Sequence, residues 1–274
     1  MVVDGVVLLS GSGSAPTLWE DCRSRVGWRP VKLREDEVRV PAPGGDIRTA
    51  VIGPADGGRG RGVLLYTDIF QLTESTLRTA RRLASYGFVV VVPEIYPHGE
   101  LAGVALEFDD AGKARGQAGA AATPVADFDA DRVAVLDWMQ HSAGISELFV
   151  TGFCIGGHLA FRAAFDPRVG ATVCFYPTGL QNGALGADAD AGSLARAAEI
   201  QGRMMIVFGS RDPHVPAPAR LQVLSALYAS GREDVELHVY EGGEHAFMRD
   251  VGARHDPVLT DLALTEAVSF FRGR

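Results

Sequence analysis

The chain has 274 residues, of which 47% are hydrophobic and 22% are charged, and its 34 acidic against 26 basic residues give a formal net charge of −8. This length and composition suit one large α/β domain or two small ones, with enough apolar residues for a sizeable core. The acidic balance argues against nucleic acid or an anionic membrane surface as the main partner.

Predicted strands and helices alternate along most of the sequence. A β-hairpin over residues 38–52, turning at Pro43-Gly44-Gly45, comes first. Later strands are predicted over 62–68, 88–94, 147–153, 171–177, 204–210 and 235–241. Helices are predicted over 73–87, 129–140, 219–230 and 257–271, and over the dozen or so residues after Phe153. Apolar strands that alternate with helices predict an α/β fold with a central, mostly parallel sheet and helices on both faces.

The regular pattern indicates one domain. We predict a single domain over residues 36–274, preceded by an N-terminal extension over residues 1–35 whose role the sequence does not give. The stretches 98–127 and 178–200 are rich in glycine, alanine and aspartate and fit neither a strand nor a helix well. We interpret them as excursions over the ends of the sheet that shape a substrate pocket.

Cysteine usage and the N-terminus bear on location. Cys22, Cys154 and Cys174 are odd in number and widely spaced, which is not typical of a disulfide framework and favours a reducing cytoplasm. The N-terminus has no basic residue before its short apolar run, unlike a signal peptide. The longest apolar run, residues 88–92, is too short to cross a bilayer. We therefore expect a cytoplasmic protein with no membrane partner.

The sequence GFCIGG at residues 152–157 joins a predicted strand to a predicted helix. A Gly-x-Cys-x-Gly turn in that position has the form of a nucleophile elbow, because small residues on either side let backbone segments pass closely. Cys154 would stand exposed at a helix N-terminus, where the helix dipole and free amides favour a thiolate. The amide of Ile155 would point to the position of a developing oxyanion. The alternative is a buried structural cysteine at a tight junction.

Two more residues follow the cysteine in the order that sheet hydrolases use. Asp212 comes just after the strand predicted over 204–210, and His245 just after the strand predicted over 235–241. Sheets of this kind build their sites at the carboxyl ends of the strands, and α/β-hydrolases carry nucleophile, acid and histidine in this chain order. Each residue alone is most often a turn or packing residue, but the three together indicate a catalytic triad.

Four separated motifs resemble those of the dienelactone hydrolase family, a cysteine branch of the α/β-hydrolases. GFCIGGHLA, GSRDPHVPAPAR and GGEHAFMR are similar to the family's nucleophile, acid and histidine motifs, and YTDIFQL with GFVVVVPEIY is similar to its early strands. The resemblance runs from about residue 37 to the C-terminus. It implies a hydrolase of lactones or esters that works through a thioester, with Cys154 as nucleophile, His245 as general base and acid, and Asp212 orienting the histidine.

The resemblance also implies an oxyanion hole and a residue that activates the thiol. Ile69 would supply a second oxyanion amide beside that of Ile155. Asp68 stands where the family usually has a glutamate that contacts the resting thiol. Aspartate is one methylene shorter, so its reach to the thiol is left open, and Thr67 or Glu94 could take part of the role.

Arginines hold a substrate carboxylate in the family, and two positions of this chain match. Arg249, four residues after His245, is the closer match, and Arg115 is the second. Guanidinium suits this role because it binds a carboxylate through two parallel hydrogen bonds. The alternative for Arg249 is a surface arginine paired to Asp68 or Asp250.

Other functions remain open on the same fold. A thioesterase or acyltransferase would use the same triad, whereas a non-catalytic binding module would have lost thiol activation at Asp68. A redox-sensing protein would need a resolving cysteine near Cys154, but Cys174 is expected in the core. The complete triad argues against the binding module.

Signals for a cofactor are weak. Gly11-x-Gly13 lacks the third glycine of a dinucleotide loop, and Cys154 with His158 lacks a third metal ligand. We predict no cofactor and no metal. The expected partner is a small-molecule lactone or ester, which can carry a carboxylate. The sequence does not decide between a monomer and a homo-oligomer.

Overall fold

An eight-stranded sheet forms the centre of the computed structural model, which describes residues 31–58 and 60–273. Its strands are β1 Leu33–Val40, β2 Ile47–Pro54, β3 Arg61–Tyr66, β4 Val89–Pro93, β5 Glu147–Phe153, β6 Val169–Phe175, β7 Arg203–Gly209 and β8 Glu236–Tyr240. They lie in the order β1-β2-β4-β3-β5-β6-β7-β8. The pairs β1–β2 and β2–β4 are antiparallel, and all the others are parallel. The predicted α/β fold with a mostly parallel sheet is confirmed.

Six α-helices accompany these strands in the described part of the chain. They are α1 Glu74–Ser85, α2 Asp110–Ala122, α3 Val125–His141, α4 Ile155–Ala163, α5 Ala217–Ala229 and α6 Pro257–Phe271, and a short 3-10 helix spans Leu194–Glu199. Thr73 caps α1, where its side chain accepts a hydrogen bond from the Thr76 amide. Asp256 caps α6 in the same way, with Pro257 at the first helical position.

The two faces of the sheet bury two separate cores. Along β3, Val63 and Leu65 belong to the core that includes α1 and α6, whereas Leu64 and Tyr66 belong to the core that includes α3, α4 and α5. Successive side chains of a strand point to opposite faces. A strand covered on both faces must therefore be apolar throughout, which is why the central strands show no alternation of polar and apolar residues.

Helix α2 is the element that the sequence pattern does not reveal, and it lies inside the 98–127 excursion. Its buried residues are Gly112 and Gly116 alone, so no stripe of large apolar side chains marks its inner face. The glycines allow close contact instead, because a Cβ on Gly116 would lie 2.4 Å from the carbonyl oxygen of Ile69. Asp109 starts the helix by accepting a hydrogen bond from the Gly112 amide at 2.7 Å.

From Lys32 onward the chain forms one compact unit. Strand β1 starts at Leu33 and pairs along its whole length with β2, so residues 33–35 of the predicted extension are part of the sheet. Residues 1–30 of that extension lie outside the described residues, and the boundary between extension and domain stays a prediction. Within the residues described, no helix is both long enough and apolar enough to cross a membrane.

Candidate active site

Cys154 occupies a sharp turn between β5 and α4. Its φ of 59° lies in the left-handed region that few residues other than glycine adopt. The flanking glycines are required by contact distances, since a Cβ on Gly152 would lie 2.1 Å from the Gly156 carbonyl oxygen and a Cβ on Gly156 would lie 2.2 Å from that of Thr67. The turn therefore holds the cysteine above the sheet at the start of a helix, as the elbow motif predicts.

The thiol of Cys154 is half-buried and faces Thr178. Its Sγ lies 3.6 Å from the Thr178 hydroxyl, and the Thr178 amide donates to the Cys154 carbonyl oxygen at 3.2 Å. His158 is hydrogen-bonded to the segment that contains Thr178. Its Nδ1 lies 3.1 Å from the Thr178 carbonyl oxygen, and its Nε2 lies 2.7 Å from the Ser193 hydroxyl. Thr178 lies in the 178–200 stretch, which shows neither a strand pattern nor a helix pattern. The sequence therefore gave no sign that Thr178 is a neighbour of the thiol.

Asp212 and His245 form a buried pair beyond the carboxyl ends of β7 and β8. Nδ1 of His245 lies 2.8 Å from Asp212 Oδ2, and the other oxygen of Asp212 accepts from the His214 amide at 2.8 Å. An ionised carboxylate only accepts, so Nδ1 carries the hydrogen and Nε2 is left for chemistry. His214 covers the pair from the solvent side, with its ring centroid 4.5 Å from that of His245.

The charge state of His245 is set by its neighbours. Burial lowers its pKa, but the charge of Cys154 and the hydrogen bonds to Asp212 and Cys154 outweigh burial and raise the pKa to about 9. Burial opposes ionisation of Asp212, but its hydrogen bonds to His245 and to the His214 amide outweigh burial and lower its pKa. His245 therefore stays protonated to higher pH than an ordinary histidine.

Two backbone amides stand free near the thiol. Ile155 begins α4 directly after Cys154, and Ile69 follows β3, whose last residue Tyr66 pairs with Gly152 in β5. Neither amide has a hydrogen-bond acceptor within the described ranges of the chain. Because both lie at the same end of adjacent strands, they are suited to the oxyanion hole that the sequence predicts.

The hydrogen bonds of Asp68 go to Arg249 and to a backbone amide, and the thiol is not among its hydrogen-bond partners. Its Oδ2 accepts a hydrogen bond from Arg249 Nη2 at 2.7 Å, and its Oδ1 accepts from the Phe70 amide at 3.0 Å. The guanidinium of Arg249 packs against the adjacent rings of Phe70 and Phe108, 4.7 Å from each centroid. The alternative partner of Arg249, Asp250, binds Arg78 instead.

The two residues considered as substitutes for Asp68 are occupied elsewhere. Glu94 is buried and accepts from Arg48 at 3.1 Å and from the Gly103 amide at 2.9 Å. The Thr67 hydroxyl donates to the carbonyl oxygen of Asp68 at 3.1 Å. Neither Glu94 nor Thr67 forms a hydrogen bond with Cys154.

Comparison with known proteins identifies the family. The family model described as the dienelactone hydrolase family matches residues 47–273, which is most of the chain. This chain belongs to the dienelactone hydrolase family. A relative from Saccharomyces cerevisiae, provisionally named a carboxymethylenebutenolidase, is 34% identical over 210 residues, covering 74% of this chain and 76% of its own length. One from Azospirillum brasilense with the same provisional name is 26% identical and covers 86% of this chain and 97% of its own.

Solved structures agree with this dienelactone hydrolase fold. The crystal structure of a candidate dienelactone hydrolase from Klebsiella pneumoniae superposes with a TM-score of 0.76 at 23% identity, covering 89% of this chain and 100% of the other. At that identity the likeness shows the fold alone. Family membership makes the protein an ester or lactone hydrolase.

Arg115 lies away from the Asp68–Arg249 pair. It is exposed on α2 at the edge of a cavity of about 390 Å³, and it forms no ion pair within the described residues. Tyr96, which the sequence analysis did not single out, lines the same cavity. The Tyr96 hydroxyl is buried without a hydrogen-bond partner among the described residues.

Cys174 and His158 are fully buried, and Cys22 lies outside the described residues. Cys174 is fully buried in β6, and burial raises the pKa of its thiol. Burial is also the main cause that lowers the pKa of His158 to about 4, which keeps this hydrogen-bonded histidine neutral. Across the described ranges, no three His, Cys, Asp or Glu side chains are grouped so as to hold a metal ion.

Proposed function

We propose that this protein hydrolyses an ester or lactone through a Cys154–His245–Asp212 triad and a thioester intermediate. The observation that carries the proposal is the buried Asp212–His245 hydrogen bond of 2.8 Å, at the same edge of the sheet as a cysteine on a strained strand–helix turn. Either feature alone is compatible with a structural role. Together they supply a nucleophile, a base and the group that orients the base.

Acylation begins with attack of the Cys154 thiolate on the substrate carbonyl carbon. A C–S bond forms, the carbonyl electron pair moves to oxygen, and the amides of Ile69 and Ile155 donate hydrogen bonds to the resulting oxyanion. The oxyanion then re-forms the carbonyl and expels the alkoxide, which takes the proton held on Nε2 of His245. The products are a thioester on Cys154 and a free or, for a lactone, tethered alcohol.

Deacylation reverses these roles with water in place of the alcohol. Neutral His245 removes a proton from water, whose oxygen attacks the thioester carbon. Collapse of the second oxyanion breaks the C–S bond, and the departing thiolate restores the thiolate–imidazolium pair. Asp212 keeps Nδ1 protonated throughout, so that Nε2 both gives and receives the proton.

Arg249 is our proposed site for a carboxylate on the substrate. It binds Asp68 through Nη2 alone, and its buried Nε–H has no acceptor in the described residues. A substrate carboxylate that took the place of Asp68 could accept from both nitrogens, which is the favoured geometry for a guanidinium. Asp68 in this arrangement positions Arg249 and does not activate the thiol directly.

Replacing Arg249 with glutamine is expected to raise KM about tenfold or more for a carboxylate-bearing lactone and to change KM little for a neutral aryl ester. The reason is the loss of a charge-assisted pair, worth roughly 1.5–3 kcal/mol. Steady-state kinetics on both substrates measure the difference. Arg78→Gln is the matched control because Arg78 also binds a carboxylate, that of Asp250, at an exposed position. Equal effects on both substrates would place the carboxylate elsewhere.

Activity is expected to fall as pH rises through about 9, the pKa of His245. This pKa is raised, so the imidazolium is present below that pH and is lost above it, and with it the acid that protonates the leaving oxygen. The measurement is kcat/KM for an alkyl ester between pH 6 and pH 10, because a strongly basic alkoxide needs this proton in order to leave. A kcat/KM that stays level up to pH 10 would contradict His245 as the acid.

Trapping the intermediate tests the proposed chemistry itself. The protein is mixed with p-nitrophenyl acetate, quenched in acid within the first turnovers and digested, and the peptide that contains Cys154 is weighed. An acetyl group on Cys154 that forms and decays at the rate of turnover supports the thioester. Steady release of nitrophenolate with acetyl on another residue, or with none, refutes it.

A further inference from the structure

Thr178 is the side chain hydrogen-bonded to the sulfur of Cys154. Its hydroxyl oxygen lies 3.6 Å from Sγ, and within the described part of the chain this sulfur is the hydroxyl's only hydrogen-bond partner. An uncharged sulfur is a weak acceptor, whereas an ionised acceptor forms a stronger hydrogen bond. A hydroxyl in this place therefore binds the sulfur most strongly when the sulfur is a thiolate.

Backbone contacts hold Thr178 beside the thiol. The Cys154 amide donates to the Phe175 carbonyl oxygen at 3.1 Å, and the Thr178 amide donates to the Cys154 carbonyl oxygen at 3.2 Å. A Cβ on Gly157 would lie 2.7 Å from the Phe175 carbonyl oxygen, so glycine is needed where α4 approaches this segment. The segment that follows β6 is therefore tied to the turn that carries Cys154.

A chain of hydrogen bonds from buried side chains ends at the Thr178 carbonyl oxygen. Because a carbonyl oxygen only accepts, Nδ1 of His158 donates to it at 3.1 Å. Burial lowers the pKa of His158 to about 4, so the ring is neutral and its Nε2 accepts from the Ser193 hydroxyl at 2.7 Å. The Ser193 oxygen accepts from Arg162 at 3.0 Å, and Arg162 is paired with Asp129. Each donor and acceptor of the chain is thereby assigned, and the chain fixes the backbone of Thr178.

We propose that the Thr178 hydroxyl is a catalytic hydrogen-bond donor to the Cys154 sulfur and that it accelerates deacylation. The inference rests on the proposed function and adds one group to it. When the second tetrahedral intermediate collapses, the C–S bond breaks and its electron pair moves to sulfur. The hydroxyl keeps its proton, and its hydrogen bond strengthens as this negative charge develops, which lowers the barrier. Acylation gains nothing from the hydroxyl, because in that step the thiolate loses its charge.

Thr178→Val removes the hydroxyl and keeps the shape of the side chain. With p-nitrophenyl acetate, the burst of nitrophenolate gives the acylation rate constant, and the decay of acetyl-Cys154, followed by mass spectrometry, gives the deacylation rate constant. We expect deacylation to slow about three- to tenfold, the effect of one hydrogen bond, and acylation not to slow. Where deacylation limits turnover, kcat and KM then fall together and kcat/KM is kept.

Two further variants separate the hydroxyl from a general loss of structure. Thr178→Ser retains a hydroxyl and is expected to restore most of the wild-type deacylation rate. Thr265→Val is the matched control, because it removes an exposed threonine hydroxyl that donates to the Asp261 carbonyl oxygen within α6 at 2.7 Å. It should change neither rate constant. Thermal unfolding of each variant checks that the fold is intact.

Ser193 and His158 are positioning residues in this proposal, since they reach the sulfur only through Thr178. Ser193→Ala is therefore expected to slow deacylation in the wild-type background and to add nothing in Thr178→Val, because residues of one network are not additive. An equal effect in both backgrounds would show that Ser193 acts on another part of the site.

The outcomes distinguish the role of Thr178 from the function on which it rests. If acetyl-Cys154 decays as fast in Thr178→Val as in the wild type, or if acylation slows by the same factor as deacylation, the hydroxyl does not serve the departing sulfur. The inference is then wrong, and the proposed function stands. If the wild type forms no acetyl-Cys154 at all, the proposed function is refuted and the role of Thr178 with it.

Discussion

Replacing Cys154 with alanine is expected to lower kcat for ester hydrolysis by roughly 10⁴-fold or more. Alanine leaves the Asp212–His245 pair and the amides of Ile69 and Ile155 in place but removes the thiol that the proposed mechanism acylates. In triads that act as a unit, loss of the nucleophile costs nearly as much as loss of the whole triad. Turnover of p-nitrophenyl acetate and of a dienelactone, beside the wild type, measures the effect.

The fold should survive this substitution, so that the lost activity can be assigned to chemistry. Cys154 is only half-buried, and alanine at a φ of 59° carries the same backbone strain as cysteine. We expect the melting temperature to change by a few degrees at most. Cys154→Ser is the companion variant, since its hydroxyl keeps the shape and loses the easily ionised sulfur. If Cys154→Ala retains a tenth of the wild-type kcat, Cys154 is not the nucleophile.

The elbow turn and the Asp212–His245 pair could be predicted because both follow from short motifs at strand ends. Gly152 is required by its contact with the Gly156 carbonyl oxygen inside the turn, and β7, which ends before Asp212, is apolar from Met204 to Phe208. The parallel sheet then brings residues that are distant in sequence to one edge, as the topology rules require. The positions of Asp212 and His245 after two neighbouring strands were therefore enough to indicate that they pair, whereas their joint action with Cys154 stays a prediction.

The supporting residues could not be predicted in the same way. Arg249 and Asp68 are 181 residues apart, and the sequence left open whether Arg249 binds a substrate carboxylate or pairs with Asp68. Thr178 and Tyr96 lie on irregular segments, where no period shows which way a side chain faces. Their placement depends on the loops above the sheet, and α2, which supports one of those loops, buries only glycines.

Replacing Asp212 with asparagine is expected to lower kcat by about 10²- to 10⁴-fold while the site keeps its shape. Asparagine must still accept from the His214 amide, which now binds Asp212 Oδ1 at 2.8 Å, so its amide oxygen takes that place. The NH₂ group then faces Nδ1 of His245 and can only donate. His245 is forced into the tautomer with the hydrogen on Nε2, which can no longer take a proton from water or thiol. At 1.36 kcal/mol for each factor of ten, the loss is about 3–5 kcal/mol of transition-state stabilisation.

The control and a second readout distinguish this effect from loss of charge. Glu244→Gln removes one negative charge next to His245 in sequence, but Glu244 is exposed and its recorded partner is Arg254 at 3.7 Å. We expect Glu244→Gln to keep wild-type activity. Asp212 is one cause of the raised pKa of His245, so the fall in activity above pH 9 should move to lower pH in Asp212→Asn. If kcat falls less than tenfold in Asp212→Asn and the pH profile does not move, another group orients His245. His214, whose ring contacts that of His245, is then the first residue to replace.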